Sequence, residues 1–265
     1  MTRVVIATDD SVRARDEAGG MMSDTTTAAS LPLLSASGLV KSYGPTRALD
    51  GVSLDVRAGE AVAIMGASGS GKTTLLHVLA GILPADAGAV TLHARSGPIR
   101  IDGLGERERS RLRREEFGFV FQQGLLLPEL TAVENVALPL LLTGHGREAA
   151  EAHAARWLGA LGLAGLEGRR IGQLSGGQAQ RVAIARAQAT GARIVFADEP
   201  TGALDSATSA DVMTALLDST LHQGHALVLV THDPQVAARC SRTVRMRDGR
   251  IVPETAPAQA TDGAR

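Results

Sequence analysis

Apolar residues along this chain follow two rhythms. Short apolar runs or alternations bounded by glycine at 34–41, 52–57, 60–65, 89–93, 98–102, 117–121, 193–197, 225–230 and 243–247 predict β-strands, since strand side chains alternate between two faces. Helical spacing follows Lys72, fills 131–142 and 147–161, and runs through 177–189 and 206–221. Strands alternating with helices predict an α/β fold with a mostly parallel sheet wrapped by helices. The block from about 123 to 172 has helical patterns and no strand, which predicts a helical subdomain inserted into that core. The segment 106–116 mixes charges of both signs at helical spacing and reads as a solvated helix.

The two ends lack either rhythm. Residues 1–32 carry charges, a Gly-Gly pair and a Ser/Thr/Ala tract, and are expected to form a disordered leader, with Met21 or Met22 as alternative starts. Residues 254–265 are rich in Ala, Pro, Thr and Gly and are expected to be a tail, which leaves 33–253 as the folded part.

Composition narrows the function classes. Lys plus Arg is 27 against 28 for Asp plus Glu, a net charge of −1 that offers no bulk attraction to nucleic acid or anionic lipid. One Trp, one Tyr and four Phe are too few for a stacking platform along single-stranded nucleic acid, so no such partner is expected. The single cysteine, Cys240, cannot close an internal disulfide or build a cysteine zinc cluster. The greasiest stretch, Leu125 to Leu142, is broken by Glu129, Glu134, Asn135 and prolines, so it is not expected to span a bilayer. The N-terminus has only Val4 to Ala7 before Asp9 and Asp10, which is no secretory signal, so a cytoplasmic location is expected.

The strongest chemical signal is Gly66-Ala67-Ser68-Gly69-Ser70-Gly71-Lys72-Thr73, a complete G-x-x-x-x-G-K-[ST] phosphate loop with Thr74 following. A predicted strand enters it and a predicted helix leaves it, as the chemistry requires. Backbone N–H groups and the positive end of the helix dipole point at the same place, which suits a polyphosphate. The glycines are expected to admit a close approach of phosphate. Lys72 is placed for the β and γ phosphates and Thr73 for Mg²⁺. The strand Arg193 to Ala197 ends in Asp198 and Glu199. In a phosphate-loop enzyme such a pair supplies a metal ligand, Asp198, and a carboxylate that orients and deprotonates water, Glu199.

Farther on, Leu174-Ser175-Gly176-Gly177-Gln178 precedes Ala179-Gln180-Arg181-Val182-Ala183-Ile184-Ala185-Arg186-Ala187. Ser175 and the glycine pair open a helix, a second anion-binding end in one chain. Together these segments closely resemble the signature of ATP-binding cassette (ABC) ATPases, and the resemblance extends over about 33–253. It implies a phosphate-loop NTPase core, an N-terminal antiparallel β subdomain and an inserted helical subdomain. It also implies ATP hydrolysis in a head-to-tail dimer, each ATP held between the phosphate loop of one subunit and Ser175, Gly176, Gly177 and Gln178 of the other.

Further matches follow in family order. Tyr43 matches the aromatic that stacks on adenine, and Gln122 the glutamine that contacts Mg²⁺ and water beside the helical block. Asp205 matches the loop that crosses to the partner subunit, and His232 the switch histidine at the γ-phosphate. The run from Leu126 to Val136 with Leu138, Pro139 and Leu140 looks like cassettes of the lipoprotein-releasing and macrolide-exporting group. That implies a membrane permease with an extracytoplasmic domain, and a cassette peripheral on the inner face of the cell membrane. Those leucines equally suit packing within the helical block.

The stretch Ala89 to Asp102 looks longer than the usual family hairpin, which is expected to alter the edge of its sheet. Gln188 stands where the family commonly has Leu, which is expected to affect packing only. His77, His93, His145, His153, His222 and His225 match no motif and are expected to be surface or packing residues. A rival reading is a soluble cassette ATPase acting on nucleic acid or ribosomes, but no long coiled-coil insertion, zinc module or second cassette is present. A small phosphate-loop kinase is the other rival, and the Leu174 to Gln178 signature argues against it.

Overall fold

The computed structural model describes residues 31–252. The expected tail 254–265 lies outside the described residues, as does the expected leader apart from Leu31 and Pro32. The strands are β1 (Leu34–Tyr43), β2 (Thr46–Val56), β3 (Ala61–Gly66), β4 (Ala87–Ala94), β5 (Gly97–Arg100), β6 (Phe117–Phe121), β7 (Ile194–Asp198), β8 (Ala226–Val230), β9 (Arg242–Arg247) and β10 (Arg250–Val252). The helices are α1 (Lys72–Leu79), α2 (Glu106–Glu115), α3 (Ala132–Leu142), α4 (Arg147–Ala160), α5 (Gly176–Gln188), α6 (Ser206–Leu221) and α7 (Pro234–Ala237), with a 3-10 turn at Ile171–Gln173.

The strands form two sheets. One is antiparallel, in the order β2-β1-β4-β5, and the other runs β10-β9-β3-β8-β7-β6, parallel except for β10. Strands β3, β7 and β8 are apolar almost throughout because the parallel sheet is covered on both faces. Their side chains divide with period two. Val62, Ile64, Ile194, Phe196, Val228 and Val230 pack with α1 and the antiparallel sheet. Val195, Ala197, Leu227 and Leu229 pack on the other face, with residues of α3, α4, α5 and α6. Each face is thus sealed by different elements, and the free ends of the strands are left for chemistry.

All four phenylalanines gather at one edge. Phe117 meets Phe196 edge-on at 5.2 Å, Phe119 stacks on Phe196 at 5.8 Å, and Phe121 stacks on Phe119 at 6.0 Å. They lock β6 to β7, whose registered ends, Phe121 and Asp198, lead into functional turns. Across β6 lies α5, close enough that a Cβ on Gly118 would meet the carbonyl of Ala187. The sole tryptophan, Trp157, lies on α4 and donates its indole N–H to His153 at 3.1 Å.

Helix α2 is the charge run, paired as its spacing predicts. Glu106 accepts from Arg109 at 2.8 Å, Arg113 at 2.7 Å and Ser110 at 3.2 Å, which together pull its carboxyl down to about 2. Strand β2 begins six residues before the expected start, at Thr46 rather than 52. Polar Arg47 and Asp50 interrupt its apolar signal, and both are paired: Asp50 accepts from Arg47 and from Arg250 of β10, each at 2.8 Å. Strand β10 and helix α7, of three and four residues, are too short to show a period. The stretch Ala89 to Asp102 forms the β4–β5 hairpin, and β5 is the sheet edge, where Pro98 lacks only a donor the edge can spare.

Candidate functional site

The phosphate loop joins β3 to α1 at the carboxyl ends of the parallel strands, the place where open α/β sheets bind ligands. No side chain caps α1: its N-cap is Gly71, left-handed at φ 99°, so the first helical N–H groups stay available to an anion. The Lys72 ammonium lies across the loop, donating to the carbonyls of Gly66 at 2.9 Å and Ala67 at 3.0 Å. At two of these positions the neighbouring strands also require glycine. A Cβ on Gly66 would strike the Met246 carbonyl of β9, and one on Gly71 the Ala48 carbonyl of β2, whereas Gly69 faces open space at φ 78°. The loop is thus wedged between two strands, which holds its amides in place.

Ser68, Gly69, Gly71, Lys72, Thr73 and Thr74 share a cavity of about 390 Å³ with Asp198, Glu199 and His232. The Thr73 hydroxyl reaches Asp198 Oδ1 at 3.5 Å. Burial holds the Asp198 carboxyl above its usual range, with Glu199 adding to the rise; Thr73, His77 and Lys72 oppose it. A hydroxyl and a carboxylate at this spacing are the hard oxygen donors that suit Mg²⁺, which takes few protein ligands and fills its shell with water and phosphate. Among the described residues no cluster of three or more His, Cys, Asp or Glu offers a rival cage. Glu199 is held at φ 48°, an unfavourable conformation for a residue with a side chain, and its N–H donates to Val230 of β8 at 3.0 Å. Its Oε1 lies 2.9 Å from His232 Nδ1. The ends of β3, β7 and β8 therefore converge on one point.

Helix α5 starts differently. Ser175 is its N-cap, accepting from the Gln178 N–H at 3.2 Å, while the Ser175 N–H donates to Gln178 Oε1 at 2.9 Å, a capping box. Gly177 is buried, and a Cβ there would meet Thr208 Cγ2 of α6; one on Gly176 would meet Leu204 at 3.1 Å. None of Ser175, Gly176, Gly177 or Gln178 lines the phosphate-loop cavity. Two glycine-rich helix starts are thus present in separate places.

Comparison with known proteins agrees with this geometry. A family model described as ABC transporter matches residues 49–202. The chain belongs to the ABC transporter family. It is 47% identical over 230 residues to the pyoverdine export ATP-binding/permease protein PvdT of Pseudomonas syringae pv. tomato, a match covering 85% of this chain and 34% of that protein. It is 47% identical over 213 residues to the macrolide export ATP-binding/permease protein MacB of Neisseria meningitidis serogroup B, covering 78% of this chain and 31% of that one. The chain thus spans about a third of the length of these curated relatives. The dimeric structure of MJ0796, described as a bacterial ABC transporter cassette, superposes with a TM-score of 0.75 at 38% identity, covering 83% of this chain and 97% of that one. A post-hydrolysis state of the same cassette, described as bound to ADP and Pi, gives 0.74. This chain is an ATPase cassette of the family, with the phosphate-loop NTPase fold.

Tyr43, Gln122 and Asp205 do not line the phosphate-loop cavity. Tyr43 is half exposed at the end of β1, with Lys41 Nζ 5.9 Å from its ring. Gln122 follows β6, and its amide sits where a Cβ on Gly202 would meet Nε2 at 3.0 Å. Asp205 caps α6, accepting from the N–H of Thr208 at 3.0 Å and from its hydroxyl at 2.7 Å. Gln188 does more than pack: it is buried and donates to Thr220 Oγ1 of α6 at 2.7 Å. His77 is half-buried within reach of the Asp198 field, its pKa lowered by burial against the pull of that carboxylate.

Sequence reasoning missed Asn135, a fully buried amide that accepts from the Leu127 N–H at 2.8 Å and donates to the carbonyls of Leu127 and Thr131 at 3.0 Å. It pins the turn before α3. Leu125 and Leu127 stand exposed there, as do Leu141 and Leu142 at the far end of that helix, while Val136 and Leu140 are buried. Within the run Leu126 to Leu140, packing in the helical block accounts for Val136 and Leu140, while Leu127 is exposed. Among the described residues no helix is long and apolar enough to cross a membrane.

Proposed function

We propose that the cassette occupies 33–253 and hydrolyses the β–γ bond of ATP between two copies arranged head to tail. The loop amides and Lys72 hold the β and γ phosphates, and Tyr43 stacks on adenine. Thr73, Asp198 and Gln122 would hold Mg²⁺, which would neutralise phosphate charge. Glu199 takes a proton from the attacking water; the water oxygen bonds to the γ-phosphorus, and the bridging oxygen leaves with ADP. His232 steadies the Glu199 carboxylate and faces the γ-phosphate. Ser175, Gly176, Gly177 and Gln178 of the second copy close over that phosphate, with Asp205 at the crossing between copies.

The observation that carries this reading is the contact of Glu199 with His232 at 2.9 Å, in the cavity that Lys72 and Thr73 line. A base, its orienting group and a phosphate cradle share one space. The exposed Leu125, Leu127, Leu141 and Leu142 supply the apolar face for a cytoplasmic helix of a membrane permease, one with an extracytoplasmic domain, which would seat the cassette on the inner face of the membrane. Relatives named as export ATP-binding/permease proteins support that pairing.

Glu199→Gln tests the reaction. Turnover should fall by at least about 100-fold while ATP binding persists, and sedimentation with Mg-ATP should show a trapped dimer. A monomer, or near-normal hydrolysis, overturns the assignment.

A further inference from the structure

The turn after β6 presents Gln122 to solvent, yet its backbone is held from below by α5. Gln180, almost fully buried, donates from Nε2 to the Phe121 carbonyl at 2.9 Å, just before Gln122. Arg186 donates from its two terminal nitrogens to the carbonyls of Leu125 at 2.7 Å and Gly124 at 2.6 Å, just after it. Among the described residues no carboxylate pairs with Arg186, so both of these terminal nitrogens are spent on backbone. One clamped residue is strained: Leu125 is left-handed at φ 46°, directly after Gly124, which takes φ 67° freely. A half-buried cation fixed on two successive carbonyls is the device that keeps such a turn in one shape, and lysine, a point charge, cannot reproduce its fork.

We infer that Gln180 and Arg186 are positioning residues for Gln122. They make the turn and α5 one rigid piece, so that a displacement of the Ser175 end is felt at Gln122 and at the exposed Leu125. The inference rests on the role given to Gln122 above.

Steady-state ATPase of the full chain tests it, with Gln122→Ala, Arg186→Met, Arg186→Lys and the double variant Gln122→Ala/Arg186→Met. Arg186→Met should lower kcat about tenfold and leave KM for ATP within about twofold, because misplacing a reacting-centre contact costs rate rather than binding. Arg186→Lys should recover part of the loss. In the Gln122→Ala background, Arg186→Met should change kcat by less than about twofold, since residues that act through one another are not additive. Hydrogen exchange of 122–126 should rise in Arg186→Met while that of 66–73 stays unchanged. Fully additive losses, or normal kcat in Arg186→Met beside a crippled Gln122→Ala, overturn the inference alone. Normal kcat in Gln122→Ala overturns the role of Gln122 and the inference with it. Should Arg186→Met fail to fold, Gln180→Leu carries the same test, with a kcat loss of about threefold expected and an unchanged kcat overturning it.

Discussion

Two helices in this cassette begin at glycine-rich segments, and they are finished in opposite ways. Helix α1 has no side-chain cap, only a left-handed Gly71 wedged against β2, so its N-terminal amides are unsatisfied within the chain. Helix α5 is closed on itself by the reciprocal bonds of Ser175 and Gln178. An uncapped start favours an anion by itself, because ligand bonds replace water with no local bond to break. A capped start is stable without one, and the Ser175 hydroxyl keeps a proton to donate. The difference teaches an order of events. In the head-to-tail arrangement proposed above, a single copy would load nucleotide on α1, and α5 would engage only when another copy delivers a triphosphate.

The sharpest way to break that comparison is to disable each start in turn. Lys72→Ala should weaken ATP binding by about 10- to 100-fold, the worth of charge-assisted bonds to phosphate, as read by calorimetry on the isolated chain. Ser175→Ala should leave that affinity unchanged and lower turnover about tenfold, in a rate assay run at saturating ATP. Equal losses of affinity in both variants would mean that the two starts serve one site in one copy.

A smaller effect separates shape from chemistry in α5. Gly177→Ala should destabilise the fold by about 1–3 kcal/mol through overpacking against Thr208, and Thr208→Ser, which removes the offending methyl, should restore most of it in denaturant melts. The smallest effect lies in α2. Glu106, held at about 2 in the folded chain, contributes stability that is complete above the ordinary carboxylate range near 4.5 and is lost as pH falls toward 2. Glu106→Gln should flatten that part of the stability profile, and added salt should shrink the difference because the carboxylate is exposed.

Legibility from the sequence followed physical density. Strands β3, β7 and β8 are buried on both faces, so their composition alone announces them, and the phosphate loop, Asp198 and Glu199 fall at their ends. Strand β10 and the first half of β2 are held by Asp50 pairing with Arg47 and Arg250, contacts between distant residues that no local pattern carries. Gln180, Arg186 and Asn135 passed as ordinary polar residues because their partners are backbone carbonyls, which have no letter in a sequence. The one signal available was position: Gln180 and Arg186 sit among the small and apolar residues of α5, and a polar group covered there has to find acceptors. For Gly66 and Gly71, sequence supplied the residue type, and only the neighbouring strands Ala48 and Met246 belong to explained why.

The lone tryptophan on α4 has an optical consequence. Indole fluorescence from this polypeptide reports a single address, inside the leucine-rich helical block, and the lone tyrosine sits at the adenine platform proposed for Tyr43. Without any label, one colour reports the surroundings of the helical block and the other those of Tyr43, so the two can be read separately in a stopped-flow trace of the unmodified chain.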